Sequence, residues 1–449
     1  KIMPLRVFMY MILPCLLCRS SVMHLCLSPM SFSDLGLSPE LLRALKPKTY
    51  PAPTPVQREA IPAALMGRDI WVTAPTGSGK TVAYALPLIE RITRSIAQLD
   101  TTSRPGTKTP RTLVLVPTRE LAIQVGQTFM SLSAHLGKLC KVTVVFGGVS
   151  INPQMMGLRG GTDILIGTPG RLLDLLDHNA LKLSHINALV LDEADKLLEL
   201  GFQEELNRIL EKLPRQRQNL FLSATRPSNT EALARSLLHE PCEIHIAQDT
   251  PQPSAIHQRV IYTDTSKRTQ LLKHLVKEQQ LKQVLVFVAT QHSSEIVAAK
   301  LRVAGIAAEP FHGQLSQGKR EQVLADFKAH RVKVVLATDL AARGLDIEKL
   351  PTVVNFDLPR SATDYTHRIG RTGRAGEPGL AISFVCPETL RHWQLIEKKH
   401  HVKLEQETIE GFEATQPVPE QGPGNGGIKG KRPSKKDKLR QLAAQAGQT

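Results

Sequence analysis

Short apolar runs alternate with longer stretches of helical periodicity through most of this chain. Two groups of strand-like runs occur, first at residues 69–73, 112–116, 142–146, 163–166, 188–191 and 220–223, and then at 284–288, 334–337, 352–355 and 380–385. Runs that are apolar at every position, with helical segments between them, are typical of parallel strands covered on both faces. The pattern therefore predicts an α/β fold of doubly wound parallel sheets.

The two groups of strands predict two tandem lobes of similar architecture, at residues 30–247 and 259–402. The segment between them, residues 248–258, is polar and contains two prolines, as is typical of a short linker. From residue 403 to residue 449 the chain is first rich in Pro, Gly and Gln and then basic, so we expect a flexible, disordered basic tail. No repeat relates the lobes residue by residue, and their similarity is inferred from architecture alone.

The charge balance favours a polyanionic partner. The 449 residues include 57 Lys and Arg against 41 Asp and Glu, which gives a net charge of +16 and a pI near 9.7. Nucleic acid is the first candidate, although charge alone leaves acidic lipid open. The six cysteines do not form a disulfide framework, and Cys140, Cys242 and Cys386 are interpreted as small core residues of a reducing compartment.

The first predicted strand runs directly into a Gly-rich loop and a helix. Gly77 and Gly79 let backbone amides turn inward, and the positive end of the helix beginning near Lys80 points at the same place, which suits a polyphosphate. Lys80 would reach the β- and γ-phosphates. The whole loop is assigned to nucleotide binding: Ala74, Pro75, Thr76, Gly77, Ser78, Gly79, Lys80 and Thr81. The strict pattern opens with Gly, and Ala74 departs from it.

A second buried strand, at residues 188–191, delivers Asp192 and Glu193 to its carboxyl end, where ligands bind in open α/β sheets. We expect Asp192 to approach a Mg²⁺ ion from a strand neighbouring that of the loop, with the Thr81 hydroxyl as the other protein ligand. Glu193 is the candidate base for the attacking water. Gln57 has the amide geometry that pairs with adenine N6 and N7, which favours ATP over GTP.

Further motifs follow in a fixed order. They are Pro53-Thr54-Pro55-Val56-Gln57, the phosphate loop, Pro117-Thr118-Arg119-Glu120-Leu121-Ala122, Gly147-Gly148, Thr168-Pro169-Gly170-Arg171, Asp192-Glu193-Ala194-Asp195, Ser223-Ala224-Thr225, Ala337-Thr338-Asp339, Arg343-Gly344-Leu345-Asp346 and His367-Arg368-Ile369-Gly370-Arg371-Thr372-Gly373-Arg374. Over about residues 30 to 400 the chain resembles the DEAD-box RNA helicases. The segment 146–156 further resembles the bacterial RhlE-type subgroup.

The resemblance implies two RecA-like lobes that share one ATP site. Lys80, Asp192 and Glu193 belong to lobe one, whereas the candidate arginine fingers, Arg371 and Arg374, belong to lobe two. Such fingers stabilise charge on the transferring phosphoryl group, so hydrolysis requires closed lobes. The resemblance also implies that four further residues contact the nucleotide. They are Arg343 and Asp346 of lobe two and the aromatic residues Phe32 and Tyr50 near Gln57. Thr49 stands where the family has Gly.

The resemblance likewise implies an RNA groove that grips the sugar-phosphate backbone. Small residues permit close approach of backbone amides to phosphate, and arginines add charge-assisted bonds, so binding is expected to be independent of base sequence. The RNA contacts implied are Pro117, Thr118, Arg119, Gly147, Gly148, Thr168, Pro169, Gly170, Arg171 and Thr338. Ser223, Thr225 and His367 are the expected coupling residues between the lobes.

We predict an ATP- and Mg²⁺-dependent, RNA-stimulated ATPase that unwinds short RNA duplexes or remodels ribonucleoprotein, with ribosomal or RNA-decay assemblies as possible settings. An ATP-gated RNA clamp or annealing factor is the alternative. A scaffold with an inactive ATPase is disfavoured because Lys80, Asp192, Glu193 and Arg371 are all present, and DNA translocation requires an assay to exclude.

Residues 1–29 have the outline of a secretory signal, because a basic start precedes the apolar stretch 7–17. This stretch is shorter than the about 20 apolar residues of a membrane-spanning helix. A non-native extension before Met30 is favoured, since the motifs that follow are those of a cytoplasmic protein without a membrane partner. Cys15 and Cys18 have zinc-like spacing but lack a second ligand pair nearby, so no zinc site is predicted.

Overall fold

The computed structural model describes residues 30–45, 50–75, 77–97, 109–246, 256–342, 350–373, 378–400 and 402–417. The first lobe contains strands β1 Ile70–Thr73, β2 Thr112–Leu115, β3 Val142–Val145, β4 Ile164–Gly167, β5 Ala188–Leu191, β6 Gln218–Ser223 and β7 Cys242–His245. Its helices are α1 Pro39–Ala44, α2 Pro55–Leu65, α3 Lys80–Ala97, α4 Arg119–Ser133, α5 Asn152–Leu158, α6 Pro169–Asp177, α7 Ala194–Glu199, α8 Gln203–Glu211 and α9 Ser228–Leu237.

The second lobe repeats this alternation. Its strands are β8 Ile256–Tyr262, β9 Val284–Phe287, β10 Ala308–Phe311, β11 Val334–Ala337, β12 Thr352–Asn355, β13 Gly379–Val385 and β14 Gln406–Glu407. Its helices are α10 Arg268–Glu278, α11 Gln291–Val303, α12 Gln317–Lys328, α13 Asp339–Ala342, α14 Ala362–Ile369 and α15 Leu390–His400. Short 3₁₀ segments lie at Phe32–Leu35, Ala134–Leu139 and Pro387–Thr389.

Each lobe is built on one seven-stranded sheet, and the two sheets have the same topology. The first has the order β3-β4-β2-β5-β6-β1-β7 and the second β10-β11-β9-β12-β13-β8-β14, with parallel pairing throughout the described strands. When the strands of each lobe are counted from its own first strand, both orders read 3-4-2-5-6-1-7. The doubly wound fold is confirmed, and the architectural duplication that no sequence repeat revealed is evident in the strand order.

Both faces of each sheet are covered by helices, and this explains why the central strands are mostly apolar. On β5, Ala188 and Val190 belong to one core cluster, whereas Leu189 and Leu191 belong to the cluster on the opposite face. On β9 the residues likewise alternate between two clusters. Because successive strand residues point to opposite faces, a strand covered on both sides has no polar face to show in its sequence.

The predicted start of the flexible tail at residue 403 is corrected by the structure. Residues 402–417, here called the docked segment, form β14 and lie against lobe two. β14 pairs with β8 and forms the edge of the second sheet, as β7 pairs with β1 at the edge of the first. Glu407 accepts hydrogen bonds from Arg259 at 2.7 to 3.0 Å. A short polar strand is stabilised here by pairing with a sheet edge, a tertiary contact that composition does not reveal.

Two further contacts, to the buried Asp264 and the half-buried His274, complete the attachment of the docked segment. The Asp264 carboxylate accepts from the backbone N–H of Thr415 at 3.0 Å and from its hydroxyl at 2.8 Å. The Phe412 ring packs against His274 with a centroid separation of 5.3 Å. The basic cluster predicted further along the tail lies outside the described residues. At the other boundary β8 begins at Ile256, so the predicted linker 248–258 overlaps the start of the second sheet.

Two of the three described cysteines are the small core residues that the sequence predicted. Cys140, Cys242 and Cys386 are not disulfide-bonded; Cys140 and Cys386 are buried, whereas Cys242 is half-buried. Burial raises the pKa of the Cys140 thiol to about 12. None of the described helices is long and apolar enough to cross a membrane. Residues 1–29, with Cys15 and Cys18, lie outside the described ranges.

Candidate nucleotide and nucleic-acid site

In lobe one the motifs lie along the carboxyl edge of the sheet. The nucleotide motifs occupy one half of this edge and the expected RNA motifs occupy the other half. The carboxyl ends of β1, β6 and β5 lead into the phosphate loop, Ser223-Ala224-Thr225 and Asp192-Glu193, respectively. The carboxyl ends of β2, β4 and β3 lead into the expected RNA motifs. One expectation is wrong in detail, because β5 does not neighbour β1. Strand β6 lies between them, so the Ser223 motif is inserted between the phosphate loop and the acids.

The phosphate loop has the backbone that its glycines predict. Gly77 has a φ of +81° and Gly79 a φ of +90°, in the left-handed region that glycine adopts without strain. A Cβ atom at Gly79 would also lie only 2.5 Å from Gln57 Nε2. Ala74 has no such requirement: its φ is not positive, and its N–H donates to the Ser223 carbonyl at 3.1 Å, which continues the β1–β6 pairing. Alanine therefore fits where the strict pattern has glycine.

Lys80 begins the 18-residue helix α3 and is buried inside the loop. Its Nζ donates to the carbonyls of Ala74 and Pro75, at 2.7 Å each. An ammonium group held among loop carbonyls at a helix N-terminus is the arrangement that receives phosphate oxygens.

The acids lie where a metal ion beside the phosphates would be bound. Asp192 is 3% exposed, and burial raises the pKa of its carboxyl while Lys80 acts in the opposite direction. The Asp192 carboxylate and the Thr81 hydroxyl are oxygen donors, the type that Mg²⁺ prefers. Both interact with the hydroxyl of Tyr84, which donates to Asp192 Oδ2 at 2.8 Å. The donor set fits a magnesium ion, and Tyr84 is a contact that no motif indicated.

Glu193 has the geometry of a residue under functional constraint. It adopts φ +49° and ψ +50°, a left-handed conformation uncommon for a residue with a side chain, at the start of α7. Burial and then the neighbouring Asp192 raise the pKa of Glu193 to about 7, whereas Arg371 and Lys80 act to lower it. Arg371 belongs to lobe two. An arginine of one lobe therefore acts electrostatically on the candidate base of the other.

A chain of contacts joins the acids to Ser223-Ala224-Thr225 and to lobe two. Thr225 donates to Asp195 Oδ2 from its hydroxyl at 2.7 Å and from its N–H at 3.2 Å, while the Ser223 hydroxyl donates to the Thr225 carbonyl at 2.5 Å. Lys196 Nζ lies 3.5 Å from Nδ1 of His367. Burial and Lys196 lower the pKa of His367. Asp195 was not assigned a role from the sequence, although it closes the acidic tetrad.

Among the expected adenine contacts, Gln57 already has a protein partner at each of its two amide atoms. Gln57 Oε1 accepts from the Thr54 N–H at 3.0 Å, and its Nε2 donates to the Gly79 carbonyl at 3.1 Å. One amide hydrogen and one lone pair remain for a base. Phe32 is buried in the lobe-one core, so it packs rather than presents a face, whereas Tyr50 is half-buried beside that core. Adenine recognition by Gln57 stays a prediction.

The expected RNA residues of lobe one form a row of helix starts and arginines. The 15-residue helix α4 begins at Arg119 with Thr118 as its cap, and α6 begins at Pro169 with Thr168 at the cap position. Such helix N-termini favour phosphate groups. The Arg119 guanidinium lies over Gly148 so closely that a Cβ atom there would overlap it.

Arg171 supplies an unsatisfied donor to this row. It is 7% exposed, and its Nη2 donates to the Val149 carbonyl at 2.7 Å. Among the residues that the structure describes, its buried Nη1 has no hydrogen-bond partner. A buried guanidinium nitrogen without an acceptor is costly, and a phosphate oxygen would relieve the cost. The Gly147-Gly148 loop beside it is held by Gln154, whose side-chain amide pairs with the N–H and carbonyl of Phe146 at 3.1 and 3.0 Å.

Two ion pairs that sequence reasoning missed organise lobe two and its contact with lobe one. Arg320 Nε contacts Glu120 Oε1 at 2.7 Å across the lobes, and both side chains are nearly buried. Arg368 binds Asp339 at 2.6 and 2.7 Å within lobe two and is 3% exposed. Thr338 accepts from the Ala341 N–H at 3.4 Å, at the start of α13. Sequence position could have indicated these two ion-pair residues, because Glu120 adjoins Arg119 and Arg368 adjoins the coupling residue His367.

Four expected site residues lie outside the described residues: Thr76, Arg343, Asp346 and Arg374. Four other expected site residues, Pro117, Gly147, Gly170 and Ser78, follow the carboxyl ends of β2, β3, β4 and β1, respectively. Groups of three or more His, Cys, Asp or Glu side chains able to hold a metal ion are absent from the described residues.

Comparison with known proteins identifies this arrangement. Residues 54–233 match the model of the DEAD/DEAH box helicase family, and residues 266–376 match that of the helicase conserved C-terminal domain. A Bacillus cereus DEAD-box ATP-dependent RNA helicase CshA is 38% identical over 84% of this chain and 69% of its own length. The ATP-dependent rRNA helicase rrp3 of Emericella nidulans is 39% identical over 85% of this chain and 79% of its own length. The chain belongs to the DEAD-box family.

Other similar proteins agree with this DEAD-box assignment. The ATP-dependent RNA helicase DeaD of Mycobacterium tuberculosis is 39% identical, and the match spans 83% of this chain but only 63% of that relative's length. Among solved structures, S. cerevisiae Dbp5 bound to RNA and ADP BeF3 is 27% identical, with a TM-score of 0.70 over 84% of this chain and 95% of that chain. The RecA-like character of both lobes is therefore established, whereas the RhlE-type assignment stays a prediction.

Proposed function

We propose that this chain is an ATP-dependent RNA helicase that couples ATP hydrolysis to local RNA duplex unwinding or ribonucleoprotein remodelling. The carrying observation is that Nδ1 of His367 in lobe two lies 3.5 Å from Nζ of Lys196, beside the acids of lobe one, so that motifs of both lobes meet at one site. Arg371 of lobe two acts in addition to lower the pKa of Glu193. The row of helix N-termini and arginines on the same sheet edge supports RNA as the ligand that closes them.

The site residues are proposed to have separate roles in binding the nucleotide, positioning the reacting groups and transferring the proton. The amides of the phosphate loop and Lys80 bind the phosphates, and Gln57 is proposed to select adenine. A bound Mg²⁺ ion would neutralise charge on the β- and γ-phosphates. Glu193 orients the water and takes its proton; a carboxyl of pKa about 7 accepts a proton more readily than an ordinary surface carboxyl does. Arg371 stabilises charge that develops on the phosphoryl oxygens.

RNA is proposed to act on this chemistry through Ser223-Ala224-Thr225. The motif lies between the phosphate loop and the acids, and Thr225 is bonded to Asp195. Backbone contacts from Arg119 and Arg171 would be insensitive to base sequence. One relative is named an rRNA helicase. Ribosomal or RNA-decay assemblies in the cytoplasm are proposed targets, and sequencing of RNA bound to the protein in cells tests them.

The deciding experiment measures ATP hydrolysis and strand release together. The wild-type chain should hydrolyse ATP faster with single-stranded RNA than with DNA of the same sequence, and it should release one strand of a short RNA duplex. Glu193→Gln is the control and should do neither at a comparable rate. Stimulation by RNA without strand release would support the RNA clamp instead. Equal stimulation by DNA would overturn the RNA assignment.

A further inference from the structure

Tyr84 occupies a position in the ATP site that no motif assigns. It lies on α3 four residues after Lys80 and three after Thr81, so helical spacing brings it to the face that carries both. Its hydroxyl donates to Asp192 Oδ2 at 2.8 Å, and it also interacts with the Thr81 hydroxyl. The phenol oxygen thus contacts both residues assigned to the magnesium ion.

The ring of Tyr84 is held so that this hydroxyl cannot move away. The side chain is 1% exposed and belongs to the core between the first sheet and its helices. The Phe129 ring of α4 packs against it with a centroid separation of 6.0 Å and an interplanar angle of 40°. In a close-packed core a tyrosine has no alternative position, so the direction of its O–H is set by the packing.

Within the described part of the chain, each carboxylate oxygen of Asp192 accepts a hydrogen bond from the protein. Tyr84 donates to Oδ2, and the Glu193 N–H donates to Oδ1 at 2.9 Å. Two donors at the two oxygens define the plane of the carboxylate, and each oxygen keeps lone pairs for another ligand. Hydrogen-bond partners behind a metal-binding group orient that group, and their removal typically costs 10- to 100-fold in metal affinity or activity.

We propose that Tyr84 is a positioning residue for magnesium in this ATP site, because its hydroxyl holds the Asp192 carboxylate in the orientation that receives the ion. The inference rests on the proposed function, since it requires that Thr81 and Asp192 bind Mg²⁺ with a nucleotide. It adds to the site a residue of α3 that belongs to none of the sequence motifs.

A purely structural role makes a different prediction. A buried tyrosine hydroxyl usually finds a hydrogen-bond partner, and Asp192 could serve only to satisfy it. In that case removal of the hydroxyl would change the stability of the fold and leave the magnesium dependence of nucleotide binding unchanged.

The test is Tyr84→Phe in the full chain, which keeps the ring and removes the hydroxyl. Binding of a fluorescent ATP analogue is measured in excess EDTA and across a Mg²⁺ titration. We expect the affinity in EDTA to stay within about twofold of wild type, because Lys80 and the loop amides are intact. The Mg²⁺ concentration at half-saturation should rise by about tenfold or more. An unchanged Mg²⁺ requirement would overturn the proposal.

Tyr365→Phe is the matched control. Tyr365 is also buried, and its hydroxyl donates to Gln258 Oε1 at 2.9 Å in lobe two, away from the phosphate loop. It should leave the Mg²⁺ requirement unchanged; an equal shift in both variants would indicate a general effect of losing a buried hydroxyl and would overturn the proposal. Wild-type binding that did not depend on Mg²⁺ would overturn the magnesium site itself, and with it the proposed function.

A double-mutant cycle covers the case in which Tyr84→Phe folds poorly. Tyr84→Phe is combined with Asp192→Asn, and the loss of Mg²⁺-dependent affinity is compared with that of each single variant. If Tyr84 acts through Asp192, the second substitution should add less than about twofold to the loss caused by Asp192→Asn. Fully additive losses would overturn the proposal, because a folding defect acts independently of the carboxylate.

Discussion

Glu120→Gln tests whether the ion pair between the lobes stabilises the closed arrangement. Glu120 Oε1 lies 2.7 Å from Arg320 Nε, and the two side chains are 9% and 5% exposed. Arg320 keeps its other contacts in the variant, since its Nη1 donates to the His312 carbonyl at 2.9 Å and its guanidinium lies over the Phe311 ring. The substitution therefore removes one charge and little packing.

The magnitude follows from burial. Removal of one partner of a buried ion pair costs about 3 to 5 kcal/mol, because the other charge is left without compensation. When the lobes separate, both groups return to water, so the cost falls on the closed arrangement alone. A cost of about 3 kcal/mol corresponds to slightly more than a hundredfold at 1.36 kcal/mol for each factor of ten. Arg119 increases this cost. Arg320 and Arg171 repel its guanidinium and lower its pKa, whereas Glu120 attracts it, and the variant loses that attraction.

The assay is RNA-stimulated ATP hydrolysis as a function of RNA concentration. We expect the concentration at half-maximal stimulation to rise by about a hundredfold, while ATP binding to lobe one stays within about twofold of wild type, since no nucleotide contact changes. Fluorescence energy transfer between dyes on Met66→Cys and Val303→Cys, exposed positions in the two lobes, should report fewer closed molecules at equal RNA.

The matched control is Glu309→Gln, which removes a partially exposed pair with Lys319 within lobe two. Such pairs contribute about 0 to 1 kcal/mol, so the RNA requirement should change by less than about fivefold. A cycle with Arg320→Gln then isolates the coupling between Glu120 and Arg320. If the losses of the two single variants add fully in the double variant, the pair does not stabilise closure and the reasoning is refuted.

Further substitutions and truncations test the remaining parts of the site and the tail. Glu193→Gln should still bind ATP but lose about 10²-fold or more in turnover, measured as phosphate release at saturating RNA; turnover near wild type would exclude Glu193 as the base. Arg371→Ala should lower RNA-stimulated turnover by about 10³-fold, or as far as the basal rate allows, with ATP binding retained, and Arg371→Lys should restore it incompletely because a point charge lacks the planar fork. RNA-stimulated turnover by residues 30–247 alone would contradict a site divided between lobes. A chain ending at Pro417 should need more RNA for half-maximal stimulation at low salt, because the basic tail is lost, with its maximal rate and thermal stability retained. A chain ending at Val402 should in addition unfold at a lower temperature, because it lacks the docked segment; equal melting temperatures would argue against that role.

The motif residues were predictable because each carries a local requirement. Gly77 and Gly79 have the positive φ values that a loop around phosphate needs, and Lys80 begins a helix directly after them. Thr118 caps α4 at the start of an expected RNA motif. Such requirements act within a few residues, so they leave a recognisable pattern in one segment of sequence.

The residues that the sequence did not reveal depend on partners far along the chain. Tyr84 follows the loop by one helical turn and is a typical core aromatic by its sequence context, and only the approach of Asp192 distinguishes it. Glu120 and Arg320 lie in different lobes. Asp195 acquires its role from Thr225, which follows another strand. For Tyr84 and Asp195 the strand order of the sheet brings the contacting side chains together, and for Glu120 and Arg320 the arrangement of the two lobes does so. Neither is written in any single motif.

By itself, the sequence determined that the chain has two α/β lobes, that a phosphate loop and an acidic pair end two buried strands, and that the net charge is basic. These properties depend on local periodicity, residue type and spacing. The tertiary structure decided that β6 separates the loop from the acids, that β14 pairs with β8 and removes residues 403–417 from the predicted tail, and that Arg320 of lobe two pairs with Glu120 of lobe one. These features are pairings between distant segments, and their stability comes from buried contacts that exist only when the whole chain has folded.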